Sequence, residues 1–142
     1  QLKNTYFSNN EKIFFNVNVE VLEGKVLLTG SVEQIDERIE ATKLACRIEG
    51  VNEVINEIQI SNDDSILDYA DDLVIKTKIN AKLLLNGDIL NLNYSVEVVN
   101  GVVYLIGIAQ NKEELDRVIN ISENTYGTKN VISYVRLKEK EI

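Results

Sequence analysis

Apolar and polar residues alternate along the stretch VNVEVL, which begins at Val17, and a period of two is typical of a half-buried strand. The dipeptide Glu23-Gly24 separates it from a second apolar run, 25–32. Two-residue loops of this kind favour a type I′ turn, because that turn needs positive φ at both central positions. The pattern predicts a β-hairpin with one buried face. Counting outward from the turn gives its facing pairs: Leu22 with Lys25, Val21 with Val26, Val19 with Leu28, and Phe15 with Val32.

An amphipathic helix and a third strand are predicted after this hairpin. Apolar residues recur at the spacing of one helical face. They are Ala41, Leu44, Ala45 and Ile48. Gly50 follows where the helix ends, because glycine tolerates the left-handed conformation there. The run VNEVINEIQI, which starts at Val51, then predicts one strand.

The same pattern occurs again 77 residues further along the chain. VNVEVLEGKVLLTG aligns with YSVEVVNGVVYLIG without a gap. The glycines align in pairs: Gly24 with Gly101, Gly30 with Gly107, and Gly50 with Gly127. A match of this length is an internal repeat, and two copies form a tandem pair. We interpret the repeated glycines as turn residues, because a phosphate-binding loop would place glycine-rich backbone at the start of a helix.

The second copy predicts the same elements. Its hairpin has two predicted facing pairs: Val98 with Val103, and Val96 with Leu105. Asn111 and Glu114 form an N-cap signal for its second helix. The run NVISYVRL predicts its closing strand.

One further helix precedes the second hairpin, over residues 69 to about 86. Its core stripe consists of Ile75, Ile79 and Leu83, which lie four residues apart. The matching helix of the first copy would begin before residue 1. We therefore expect the first copy to lack the start of its first helix, and the chain to belong to a longer precursor.

These elements predict an α+β fold of two tandem αββαβ domains. Each domain has a three-stranded mixed sheet packed by two helices on one face. The expected boundaries are 1–60 for the first domain, 61–68 for an acidic linker and 69–142 for the second domain.

Composition excludes several classes of chemistry. The 142 residues include no histidine, and Cys46 is the single cysteine. Ser-His and Cys-His nucleophile pairs are therefore impossible, as are His/Cys zinc sites. We expect Cys46 to be a small buried apolar residue of the first long helix. No catalytic residue and no cofactor are predicted, and a hydrolase or transferase is disfavoured.

The acidic stretch SNDDSILDYADD raises the question of a calcium site. Its aspartates are Asp63, Asp64, Asp68, Asp71 and Asp72. An EF-hand loop needs glycine at position 6, and counting from Asp63 this stretch has Asp68 there. We interpret it as a solvated linker that leads into a helix, and we predict no metal site.

Charge is unevenly distributed along the chain. The net charge of −8 is concentrated in residues 11–72, whereas residues 73–142 carry nine basic and eight acidic side chains. No nucleic-acid partner is predicted, because no basic stripe with interleaved aromatic residues is present. Residues 73–87 contain three lysines and no acid.

The helix at 69–86 has a second apolar side, edged by two of these lysines. On a helical wheel this side lies away from the core stripe. Its members, the candidate lipid-binding residues, are Val74, Thr77, Lys78, Ala81, Lys82, Leu84 and Leu85. Apolar side chains beside cations suit a helix that lies on an anionic membrane surface. The alternative is a protein interface, either with the first domain or with a partner, because exposed apolar patches commonly mark contacts.

A known family shares this arrangement of motifs. The pattern V-x-V-x-x-G-x-V-x-L-x-G, a helix with alanines, and then G-V-x-x-V-x-N resembles the BON domain, named for bacterial osmotic-stress and nodulation proteins. GVNEVINEI at 50–58 fits the closing motif, whereas the second copy has GTKNVISYV and carries Ser122 where the first has Ala45. The tandem order and the IKTKINAKLL helix are most similar to the dual-BON outer-membrane lipoproteins of the DolP type.

The resemblance implies a non-enzymatic protein of the periplasm that maintains the cell envelope, anchored to the outer membrane through a lipidated cysteine upstream of this chain. It also implies binding of anionic phospholipid, phosphatidylglycerol or cardiolipin, by the first helix of the second domain. An outer-membrane or envelope protein is the alternative partner. DolP-type proteins tend to carry a tryptophan near the start of this helix, where this chain has Val74. Because tryptophan favours the membrane interface, its absence predicts weaker insertion.

Overall fold

The computed structural model describes residues 17–61, 66–89 and 93–138. The chain divides into two compact units, residues 1–64 and 65–142. Described elements of the first unit are β1 (Val17–Leu22), β2 (Lys25–Val32), α1 (Ile35–Cys46), β3 (Glu53–Asn56) and β4 (Gln59–Ile60). Those of the second are α2 (Ile66–Leu85), β5 (Tyr94–Val99), β6 (Val102–Ala109), α3 (Lys112–Glu123) and β7 (Asn130–Leu137).

Each unit contains a mixed sheet with a central strand from its hairpin. In the first unit, β2 pairs antiparallel with β1 and parallel with β3 and β4. In the second, β6 pairs antiparallel with β5 and parallel with β7. The α+β class is confirmed, and the second unit has the predicted αββαβ order. The expected first helix of the first unit lies outside the described residues.

Both helices of the second unit cover one face of its sheet. The α2 stripe, Ile75, Ile79 and Leu83, shares one core with Val118 of α3. Alternate residues of the hairpin complete that core: Val96, Val98, Val103 and Leu105. Asn111 is the N-cap of α3 as predicted, and its side chain accepts a hydrogen bond from the Glu114 backbone at 2.8 Å.

The hairpin turns and their register agree with the sequence analysis. Glu23 and Gly24 have φ of 52° and 78°, and Asn100 and Gly101 have φ of 50° and 79°, as a type I′ turn requires. The predicted pairs within both hairpins are observed. The pairing of Phe15 lies outside the described residues.

Gly30 and Gly107 do not serve turns, contrary to the prediction, because they lie inside β2 and β6. At Gly107 the reason is close packing of the backbone. A Cβ atom added there would collide with the carbonyl oxygen of Asn93, next to the start of β5. Glycine in a strand commonly marks such an approach.

The third strand of the first unit is interrupted, where the sequence predicted a single one. Asn56 ends β3, and its side-chain oxygen accepts a hydrogen bond from the Ile58 backbone at 3.0 Å. Its amide nitrogen donates to Arg38 O and Thr42 Oγ1 on α1. The side chain thus takes a strand N–H that a ladder would otherwise use. The equivalent strand of the second unit, β7, runs unbroken.

Two further predictions need correction. Cys46 is exposed, because it is the last residue of α1 and lies on the side of the helix away from the buried Ala41 and Ala45. The helix α2 begins at Ile66, so the end of the predicted linker, residues 66–68, is helical.

Candidate lipid-binding face of α2

The helix α2 is held to the second unit along one side only. Ile75, Ile79 and Leu83 are buried in the core. Near its start, the Asp72 carboxylate accepts hydrogen bonds from the Asn100 and Gly101 backbone at 2.8 and 2.9 Å. This carboxylate satisfies two N–H groups of the hairpin turn and fixes the rotation of α2 about its axis.

The opposite side of α2 is apolar and exposed. Leu85 and Leu84 have 84% and 67% of their surface accessible, and Val74 has 51%. All seven predicted residues are exposed. The structure adds Leu73, which is 51% accessible. We call this surface the outer face of α2. It comprises Leu73, Val74, Thr77, Lys78, Ala81, Lys82, Leu84 and Leu85.

Leu73 was missed by the sequence reasoning, although a signal for it was present. At 100° per residue, Leu73 lies only about 20° around the helix from Leu84. Thr77 fits among these apolar neighbours, because its hydroxyl donates to the Leu73 carbonyl at 2.8 Å. A hydroxyl that is already bonded costs less to remove from water.

The three lysines of α2 have different surroundings. Lys76 forms an ion pair with Glu97 at 3.0 Å, and only 9% of the Glu97 side chain is accessible. Lys82 donates a hydrogen bond to Thr125 Oγ1 at 3.0 Å. Lys78 makes no hydrogen bond or ion pair within the described part of the chain. Lys78 is therefore the most available cation, and Lys82 keeps two of its three donors.

The acidic stretch SNDDSILDYADD shows no metal site among its described residues. Asp63 and Asp64 lie outside the described residues, as does the side chain of Asp68. Asp72 is engaged at the hairpin turn. Among the described residues, no group of three or more His, Cys, Asp or Glu side chains is placed to hold a metal ion. Within the same ranges, no helix is both long enough and apolar enough to cross a membrane.

Comparison with known families identifies both halves of the repeat. The BON domain model matches residues 4–62 and 71–139. The chain belongs to the BON domain family. The expected resemblance to tandem BON-domain proteins of the DolP type is confirmed by its relatives.

Three relatives illustrate this similarity. An "uncharacterized protein in gshII 5′ region" of Anaplasma centrale is 45% identical over 131 residues, which are 92% of this chain and 87% of that protein. Outer membrane lipoprotein DolP of Haemophilus influenzae is 33% identical over 116 residues, which are 82% of this chain and 60% of DolP. Osmotically-inducible protein Y of Escherichia coli is 30% identical over 125 residues, 87% of this chain and 62% of that protein. The chain thus spans about three-fifths of the latter two.

Proposed function

We propose that this protein is a non-enzymatic, periplasmic envelope-maintenance protein that docks on anionic phospholipid through the outer face of α2. Membership of the BON family and similarity to an outer membrane lipoprotein support association with the envelope. Anchoring through an upstream lipidated cysteine belongs to the same proposal. The exposed apolar side of α2, bordered by Lys78, is the observation that carries the lipid-binding part.

The arrangement suits shallow insertion rather than deep burial. The side chains of Leu84 and Leu85 would leave water and enter the boundary between headgroups and acyl chains, while Lys78 and Lys82 meet lipid phosphates. Burying an exposed leucine side chain contributes about 1.5–3 kcal/mol, and a lysine near an anionic surface about 1 kcal/mol.

Such a contact is weak by itself. Two half-inserted leucines and two lysines give about 3.5–5 kcal/mol, which corresponds to a dissociation constant near 1 mM, within a factor of about five. A second attachment, such as a lipid anchor, would raise the effective concentration and make the contact persistent.

Cosedimentation with vesicles tests this proposal. We expect the protein to sediment with vesicles rich in phosphatidylglycerol or cardiolipin, and to stay in solution with phosphatidylcholine vesicles. Leu85→Asp and Lys78→Glu should each reduce binding to anionic vesicles by about tenfold or more, since each replaces an attractive contact by an anionic group. Lys82 is a poorer choice for charge reversal, because its change would also break the hydrogen bond to Thr125.

Lys43→Glu is the matched control. Lys43 is exposed on α1 in the first unit, so its reversal makes the same change in net charge without altering α2. It should leave binding within about twofold, because the outer face of α2 keeps all of its own contacts and only the total charge changes. Equal losses for Lys43→Glu and Lys78→Glu would show that only total charge matters, and would refute the site.

The second candidate function is a protein-interaction adaptor that uses the same face for an envelope protein or for packing against the rest of the chain. Exposed leucines on one helix side also fit a protein partner. Val74→Trp separates the two functions. A membrane face should bind anionic vesicles more tightly after this change, because tryptophan favours the interface. Lower stability without added vesicle binding would favour the adaptor, since a packed interface would be overfilled.

A further inference from the structure

The turn that follows α3 lies directly beside α2, at the edge of the outer face that carries the lysines. Two contacts place it there. Lys82 Nζ donates to Thr125 Oγ1 at 3.0 Å. A Cβ atom added at Gly127 would lie 3.0 Å from Ile75 Cδ1, so the backbone of Gly127 touches the helix. Tyr126 lies between these two residues in sequence, so the turn carries it to the side of α2.

The turn is rigidly anchored, whereas Tyr126 itself is exposed. Thr125 is buried, and its hydroxyl also donates to the Ile121 carbonyl at 2.8 Å. The Thr128 N–H closes the turn on the Thr125 carbonyl at 3.1 Å, and Gly127 has φ of 98°, as the third position of a type II turn requires. Tyr126 occupies the second position with 90% of its surface accessible, although it is an aromatic residue.

The first unit contains the same turn with different chemistry. The Val51 N–H bonds to the Ile48 carbonyl at 3.3 Å, and Gly50 has φ of 85°. An exposed Glu49 stands where the second unit has Tyr126, and the buried Ile48 where it has Thr125. The first unit therefore forms the same backbone turn without an exposed aromatic residue and without a hydroxyl group that could accept a hydrogen bond from a lysine. Tyr126 and the bond from Lys82 to Thr125 are additions of the second unit, and both adjoin the candidate lipid-binding face.

We propose that this turn is a second part of the lipid-contact surface, in which Tyr126 enters the headgroup region of an anionic bilayer together with Leu85, Lys78 and Lys82. The proposal rests on the proposed function and deepens it. Tyrosine suits this position because its ring is apolar and its hydroxyl stays hydrated, the property that enriches it at membrane interfaces. The bond to Thr125 holds the Lys82 ammonium at this turn and leaves two of its donors for phosphate oxygens.

The proposal also fixes which edge of the outer face meets the bilayer. Lys82 and Ile75, the residues that contact the turn, lie about 80–100° from Val74 around the helix, on the lysine side. Tyr69, which is 71% accessible, lies outside the outer face, about 140° from Val74 in the other direction. The bilayer therefore meets the Val74 and Leu85 edge with its lysines, and Tyr69 remains in water.

Matched substitutions of two exposed tyrosines test this. Tyr126→Glu restores the residue that the same turn carries in the first unit, so the fold should be kept. We expect it to weaken sedimentation with phosphatidylglycerol vesicles by about tenfold or more, because an interfacial ring is replaced by an acid. Tyr69→Glu makes the same change on α2 outside the outer face and should leave binding within about twofold. Tyr126→Phe should retain most of the binding.

A fluorescence measurement gives an independent readout. The chain contains no tryptophan, so Tyr126→Trp and Tyr69→Trp each introduce a single reporter. On addition of phosphatidylglycerol vesicles, the emission of Tyr126→Trp should shift to shorter wavelength and become shielded from iodide. The emission of Tyr69→Trp should not change.

The outcomes separate this proposal from the proposed function. If Leu85→Asp abolishes vesicle binding, while Tyr126→Glu binds like the parent and Tyr126→Trp shows no shift, the turn is not part of the surface and the helix alone is. If the parent protein fails to sediment with anionic vesicles, both proposals are wrong. If Tyr126→Glu loses its fold, the fluorescence shift of Tyr126→Trp decides.

Discussion

Tyr94 and Glu114 form a buried polar pair within the second unit. The Tyr94 hydroxyl donates to Glu114 Oε1, which also accepts a longer bond from the Gln110 backbone at 3.4 Å. Burial first, and then the adjacent Glu114, raise the pKa of Tyr94 well above its ordinary value of about 10. The first copy has Val17 and Glu37 at these positions, so this pair distinguishes the two units at the level of single side chains.

This pair predicts a loss of stability at alkaline pH. Below pH 10 or so, Tyr94 is protonated in both the folded and the unfolded chain. Above it, the unfolded tyrosine loses its proton while the folded one retains it, so the free energy of unfolding should fall as pH rises. Tyr94→Phe should flatten this decline. At neutral pH it should cost about 1–3 kcal/mol, because the buried Glu114 loses its donor.

Urea unfolding between neutral pH and pH 11 measures both effects. Tyr126→Phe is the control, since Tyr126 is exposed and should leave the alkaline decline unchanged. If the free energy of unfolding of Tyr94→Phe falls as steeply with pH as that of the parent, the alkaline loss of stability does not come from Tyr94.

At the scale of elements, each copy ends its second helix with the same turn in a different environment. Gly50 and Gly127 have φ of 85° and 98°. A Cβ atom added at Gly50 would meet nothing within 4 Å, whereas at Gly127 it would press on Ile75 of α2. The described part of the first unit has no helix in the position of α2, so the contact belongs to the second turn.

Alanine at these two glycines separates backbone strain from packing. Gly50→Ala should cost about 1–2 kcal/mol, the strain of a left-handed residue with a Cβ atom. Gly127→Ala should cost this amount and about 1–3 kcal/mol more for overpacking against Ile75. Amide hydrogen exchange in each sheet reports the two units separately. Equal costs would mean that α2 shifts freely away from the turn.

For the whole molecule, the distribution of charge along the chain matters more for binding to an anionic bilayer than the total charge does. Residues 1–64 carry 12 acidic and 6 basic side chains, and residues 65–142 carry 11 acidic and 9 basic ones. Most of the net negative charge therefore belongs to the unit that lacks the candidate face. An anionic bilayer repels the whole protein and attracts Lys78 and Lys82 at short range.

This opposition predicts that binding to anionic vesicles is strongest at intermediate salt. At about 10 mM the Debye length is about 30 Å, so the whole charge of the protein resists approach. At about 150 mM it is about 8 Å, and local contacts dominate; at 1 M it is about 3 Å, and the lysines are screened as well. Sedimentation across this range measures the effect. Lys78→Glu should remove the maximum of binding at intermediate salt. If binding of the parent protein instead declines steadily from the lowest salt, repulsion of the whole protein does not oppose binding and the prediction is wrong.

Local patterns were enough to predict the hairpins, their register and the core side of α2. Their physical cause lies within a few residues: the period of two, a two-residue turn at Glu23-Gly24, and the four-residue spacing that ends at Leu83. The internal repeat extended the same reasoning to the second unit. The exposed side of α2 follows from the same spacing, and its role in lipid binding stays a prediction.

The tertiary structure decided whatever depends on partners that are distant in sequence. Gly107 serves a close approach of Asn93, which no local pattern reveals. Asn56 interrupts a strand because α1 supplies acceptors for its amide. Lys76 is engaged by Glu97, and the turn that carries Tyr126 is placed beside α2 by the contact of Thr125 with Lys82, 43 residues away in sequence. The sequence determines which side chains a helix presents, and only packing determines which of them remain free and what stands beside them.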